Sequence, residues 1–171
     1  MIKIKVSNLE NGRYDYVFEG PVSELDISEP YQGNFLTAAA LSKFDNQIIL
    51  DTETKINASF VCDRCTGEFN SQIISNYRMI YLFRQEFDDD RNDKSDIVYL
   101  HPDTDKIELD EDIRDYALLA VPMKQLCSED CKGLCPRCGK NLNEGPCNCK
   151  EENLDPRWEP LKELKIKNKL K

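Results

Sequence analysis

The chain has 171 residues, 40% hydrophobic and 32% charged, with a formal net charge of −9 at pH 7. That length suits one domain with a small appendage, and that apolar content builds a core without disulfide staples. The acidic balance argues against broad nucleic-acid binding through clustered Lys and Arg, and no apolar run reaches the ~18 residues of a membrane span. The start, Met1 to Val6, lacks an apolar run of signal-peptide length, so the expected location is the cytoplasm, without membrane contact.

In chain order, Ile2, Ile4 and Val6 alternate with lysines at the strand period, and Tyr14, Tyr16 and Phe18 alternate again. Asn11-Gly12 between them predicts a turn joining two strands. Pro21 to Gln32 reads as an ordered loop with room for a helical turn. Phe35 to Phe83 reads as a meander: strands over 35–44, 48–62 and 69–83, with a turn at Asp45-Asn46 and a tight turn over Cys62–Gly67. In the middle strand Leu50, Thr52, Thr54, Ile56 and Ala58 share one face, and Asp51, Glu53, Lys55 and Asn57 the other.

Gln85 to Ser95 is a charged linker. Residues 86–115 hold 13 acidic against 4 basic side chains, which accounts for the whole charge imbalance. Asp96–Leu100 and Ile107–Leu109 are short strands. A helix over about 110–121 follows, with Asp110 as N-cap and Ile113, Tyr116, Ala117 and Ala120 on its apolar face. Pro122 ends it. Beyond the cysteines, Asp155-Pro156 predicts a short helix with Trp158, Leu161 and Leu164 facing the domain, then a Lys-rich tail. The predicted fold is α+β: a mainly antiparallel sheet, meander or barrel-like, with one packed helix and a small C-terminal Cys-rich zinc module. The expected division is a β-rich domain over 1–126 and a Cys-rich module over 127–171.

The chemistry lies in eight cysteines, which form four pairs: Cys62/Cys65, Cys127/Cys131, Cys135/Cys138 and Cys147/Cys149. In a reducing compartment such spacings point to metal ligands rather than disulfides. Zinc takes four thiolates in a tetrahedron, supplied two at a time by short loops. The short loop from Cys138 to Cys147 lets Cys135, Cys138, Cys147 and Cys149 close one site, which leaves Cys62, Cys65, Cys127 and Cys131 for a second. A single site drawn from Cys62, Cys65, Cys135 and Cys138 is the alternative. An iron–sulfur cluster takes the same four thiolates. So the expected cofactor is zinc, one or two structural ions. The lone histidine, His101, reads as a surface residue, and all-thiolate sites are closed, so no enzyme and no small-molecule substrate are expected.

The order of a β-rich half, Cys62-x2-Cys65, an acidic loop, a helix, Cys127-x3-Cys131-x-Gly133-Leu134-Cys135-x2-Cys138-Gly139-x-Asn141-Leu142 and Asp155-Pro156-Arg157 resembles the YceD-like family of bacterial and plastid proteins. The resemblance implies a role in accumulation of large-subunit ribosomal RNA and no enzymatic activity. The expected partner is then a large-subunit ribosomal precursor, through its RNA or a ribosomal protein. The acidic 86–115 segment favours a basic protein. The competing readings are an RNA-binding zinc module acting through Lys132, Arg137, Lys140 and the tail, and a metal-dependent hydrolase using Asp88, Asp89 and Asp90.

Overall fold

The structure, a computed structural model, describes residues 2–84 and 97–149. Its centre is a long antiparallel meander of β3 (Tyr31–Phe44), β4 (Gln47–Val61) and β5 (Glu68–Phe83). β2 (Gly12–Pro21) pairs antiparallel with β3 at one edge, and β6 (Ile97–Leu100) pairs parallel with β5 at the other. The register places Leu41 against Leu50, Thr37 against Thr54 and Leu50 against Met79.

The period of two decides what is buried. On β4, Ile48, Leu50, Thr52, Thr54, Ile56, Ala58 and Phe60 all face the core. Each large aliphatic among them contributes roughly 1.5–3 kcal/mol by leaving water. Ile73, Tyr77, Met79 and Tyr81 on β5 and Phe35, Ala39 and Leu41 on β3 complete that face. The buried threonine hydroxyls are paired across strands: Thr37 Oγ1 lies 2.8 Å from Thr54 Oγ1, and Thr52 donates to the Tyr77 carbonyl at 3.2 Å. The predicted face of the middle strand is the observed one.

Helix α1 (Asp110–Leu119) packs on this face through buried Ile113 and Ala117. Tyr116 stacks on Tyr77 with centroids 4.5 Å apart, and the Tyr31 hydroxyl donates to the Ala117 carbonyl. Asp110 is the first helical residue rather than the predicted N-cap, which is Leu109. Its carboxylate instead accepts the Ile2 amide at 2.7 Å, so it ties the chain start to the helix.

Asn11-Gly12 does not join two strands of one hairpin. β1 (Lys3–Lys5) pairs with β7 (Lys106–Glu108), residues a hundred positions away, with Ile4 opposite Ile107. The match comes from a partner of equal length, the Lys3–Glu108 ion pair, and the Val6 amide on the Asp105 carbonyl. The predicted loop over 21–32 contains a 3-10 helix at Val22–Leu25, and its last two residues already belong to β3. The predicted linker 85–95, the Asp155 helix, Trp158 and the Lys-rich tail lie outside the described residues.

Candidate metal centres

Two turns of identical hydrogen bonding carry the paired cysteines. In Cys62-Asp-Arg-Cys65-Thr-Gly67, the Thr66 amide donates to the Cys62 carbonyl at 2.9 Å and the Cys62 amide to the Gly67 carbonyl at 2.9 Å. In Cys135-Pro-Arg-Cys138-Gly-Lys140, the Gly139 amide donates to the Cys135 carbonyl at 2.9 Å and the Cys135 amide to the Lys140 carbonyl at 2.8 Å. Both turns need a left-handed fifth residue, filled by Thr66 at φ 55° and Gly139 at φ 72°. This leaves the intervening amides free to point at the sulfurs.

The first turn lies at the tip of the β4–β5 hairpin. Cys62 continues the alternation of β4 by one step and is fully buried. Phe69 joins it to the core, because it packs both on Phe60, with ring centroids 5.9 Å apart, and on the buried cysteines. After α1 the chain reaches this tip, where the Asp63 amide donates to the Gln125 carbonyl at 2.8 Å and the Gln125 amide to the Asp63 carboxylate at 2.7 Å. That contact delivers Cys127 and Cys131 beside Cys62 and Cys65.

The eight sulfurs assemble as two groups of four: Cys62, Cys65, Cys127 and Cys131, and Cys135, Cys138, Cys147 and Cys149. Within each group all sulfurs lie within 4.8 Å of one another. The alternative set of Cys62 and Cys65 with Cys135 and Cys138 is not the one assembled. In the first group Cys62 and Cys131 are 3.8 Å apart and Cys65 and Cys127 3.7 Å; in the second, Cys135 and Cys147 are 3.4 Å apart. A disulfide needs about 2.05 Å. Zn–S bonds of about 2.3 Å in a tetrahedron put sulfurs about 3.8 Å apart, so the donor set and its spacing fit one metal ion per group.

The backbone favours thiolates at selected positions. Backbone hydrogen bonding, chiefly from Cys127, lowers the Cys62 thiol to about 6, and from Cys138 the Cys135 thiol to about 6. The Asn143 side chain holds Cys131 below the ordinary thiol range. Neighbouring sulfurs push Cys127, facing Cys131 first, up to about 12 and Cys149, facing Cys138 first, up to about 12. Four thiols this close cannot all ionise without a cation among them.

A model of the family described as large ribosomal RNA subunit accumulation protein YceD matches residues 50–165, a stretch that contains all eight cysteines. The chain belongs to the YceD family. Over 73 residues it is 34% identical to the large ribosomal RNA subunit accumulation protein YCED homolog 1, chloroplastic, of Arabidopsis thaliana, covering 43% of this chain and 23% of that one. It is 42% identical over 55 residues to the corresponding Zea mays protein, covering 31% and 19%. An uncharacterized protein of Mycobacterium tuberculosis is 28% identical over 103 residues, covering 60% and 48%. The matched stretch spans less than half the length of each of these curated relatives. No solved structure matches. Among the described residues of this YceD-family chain, no helix is long and apolar enough to cross a membrane.

Two residues around the cysteines were not legible in sequence. Arg64 donates from Nη1 to the carbonyls of Cys131 at 2.7 Å and Glu129 at 3.2 Å, while its own carbonyl accepts the Leu134 amide at 2.9 Å. Asn143 donates to the Cys131 sulfur at 3.3 Å. The only hint is that Arg64 and Arg137 hold the same place in the two turns. His101 is exposed, with Nδ1 3.4 Å from the Asp103 carboxylate. Asp88, Asp89 and Asp90 lie outside the described residues.

Proposed function

We propose that the chain is a non-enzymatic factor in large-subunit ribosomal RNA accumulation, acting on a ribosomal precursor, with its eight cysteines holding two structural zinc ions. The observation that carries the first part is the family match over 50–165. The printed names of the Arabidopsis and Zea relatives point to the same process.

Tetrahedral spacing in two all-thiolate groups supports zinc. Sulfurs within 4.8 Å of one another suit a single ion better than a cluster that carries each thiolate on a separate iron. Zinc here supplies cross-linking rather than reactivity, since four thiolates leave no open position for a substrate or water. The first group pins the module that begins at Cys127 onto the hairpin tip of the β-rich domain over 1–126. The second closes the module on itself.

With a net charge of −9, contact with a basic ribosomal protein is favoured over direct contact with RNA phosphates. Sedimentation of tagged chain from growing cells at low salt tests the reading: co-migration with large-subunit precursors is expected, released as salt rises. Chain found only at the top of the gradient after mild crosslinking overturns it. Elemental analysis tests the metal separately, with two zinc per chain expected; iron in their place, or less than half an equivalent of any metal, refutes structural zinc.

A further inference from the structure

The two cysteine groups are joined by more than the chain between them. Cys131 of the first group and Cys135 of the second are four residues apart, and the residues between them are fixed from both sides. On one side the Leu134 amide donates to the Arg64 carbonyl at 2.9 Å. On the other, the loop from Cys138 to Cys147 folds back: the Leu142 amide donates to the Gly133 carbonyl at 2.9 Å, and Leu134 bridges Asn141. That loop belongs to the second group, because Cys138 and Cys147 at its ends are both members of it.

Asn143 lies at the far end of this fold-back. Its Oδ1 accepts the Lys132 amide at 2.8 Å, which fixes the orientation of the side-chain amide. Its Nδ2 then faces the Cys131 sulfur at 3.3 Å and also donates to Asn141 Oδ1 at 2.9 Å. A residue in the loop of one group therefore donates a hydrogen bond to a sulfur of the other. We infer that the two metal sites are thermodynamically coupled through Asn143, so that filling the Cys135/Cys138/Cys147/Cys149 site tightens the Cys62/Cys65/Cys127/Cys131 site.

The physical reason is ordering. A metal at the second site closes the loop and sets Asn143 against Cys131 before the first site binds. The N–H···S bond then stabilises a thiolate that the first site's metal requires. Coupling of binding free energies is reciprocal, so filling the first site tightens the second by the same factor. Outer-shell partners of this kind change metal affinity on the order of 10–100-fold. About tenfold is expected for one partly exposed hydrogen bond. The inference rests on the proposed metal binding, and its test separates the two.

The test uses the full chain loaded with cadmium, with a chelator competition for affinity and the 113Cd resonance of each site as a local probe. Cys147→Ser with Cys149→Ser dismantles the second site and identifies the resonance that remains. The first site is expected to weaken about tenfold in that variant. Asn143→Ala is expected to weaken it by a similar factor, shift its resonance, and make the loss of the second site cost nothing further. Asn143→Asp keeps the acceptor for the Lys132 amide but turns a carboxylate oxygen toward the sulfur. It is therefore expected to be worse than Asn143→Ala, whereas a merely structural role for the Lys132 contact makes it milder. Two occupied sites whose affinities are independent of each other and of Asn143 overturn the coupling and leave the metal reading standing. No uptake at either group overturns both.

Discussion

Gly133→Ala puts the geometry between the two sites to a quantitative test. Gly133 has φ 74°, a region that costs a residue with a Cβ roughly 1–2 kcal/mol. A Cβ there would lie 2.8 Å from the Arg64 carbonyl oxygen, which is backbone and part of the Cys62–Gly67 turn. That oxygen must move, and it accepts the Leu134 amide at 2.9 Å, so about 1 kcal/mol of hydrogen bonding is put at risk. The sum is about 2–3 kcal/mol, or about 30–150-fold in metal affinity at tenfold per ~1.4 kcal/mol. Gly139→Ala is the control. It has the same conformation, φ 72°, but a Cβ meets nothing within 4 Å, so only the conformational cost of roughly 1–2 kcal/mol remains, about 5–30-fold. Competition with a chromophoric chelator measures both. Equal losses in the two variants, or wild-type affinity in Gly133→Ala, would refute the close packing of the module on the hairpin tip.

Arg64→Ala removes the donors to the Cys131 and Glu129 carbonyls and is expected to weaken the first site about tenfold, read by the same competition in the Cys147→Ser, Cys149→Ser background. Thr54→Val leaves the Thr37 hydroxyl buried without its partner and should cost about 1–3 kcal/mol in urea unfolding. Adding Thr37→Val should recover most of that loss, and additive costs would argue against the hydroxyl pair. Asp112, half-buried on α1, has its carboxyl raised above the usual range, first by burial and then by Asp115 and Glu111. A raised folded-state value means the folded chain binds the proton more readily. Its charged form therefore destabilises at neutral pH, and that penalty disappears as pH falls through the folded value toward about 3.9. Asp112→Asn is expected to be the more stable chain at pH 7 and to lose its advantage near pH 4, measured as the difference between urea midpoints. Cys62→Ser, at a fully buried site continuous with Phe60, should lower the sheet's unfolding midpoint, whereas Cys138→Ser, at an exposed position, should release one metal and lower that midpoint by clearly less.

What the sequence showed and what it hid divide along the range of the interactions. Alternation along β4 is local, and it alone separates the face from Leu50 to Ala58, which the structure buries, from the face of Asp51 to Asn57. The cysteine pairs are local too, and loop length pointed to Cys135 and Cys138 with Cys147 and Cys149, although the set with Cys62 and Cys65 stayed open until the sulfurs were seen to assemble. The same local reasoning failed at Asn11-Gly12, because β1 is chosen by a partner at 106–108 that no short window contains. It failed at Asp110, whose carboxylate answers an amide at the far end of the chain. Arg64 and Asn143 were invisible for the same reason, since their value lies in reaching Cys131 from two different directions.

The hairpin tip explains why the long-range contacts gather where they do. A β4–β5 ladder that runs fifteen residues in unbroken register ends in a rigid turn. Cys62, buried by the same alternation as Phe60, therefore inherits the positional order of the core. A module with few apolar residues of its own can become ordered by docking its first two cysteines on that fixed pair. It then lends its own loop, through Asn143, to complete the site. The sheet thus acts as a template for the first site, while the second site is built within its own turn and loop. A truncated chain carrying residues 127–171 alone is accordingly expected, with metal present, to lose amide protection around Cys127–Cys131 and keep it around Cys135–Cys149, which hydrogen exchange would show.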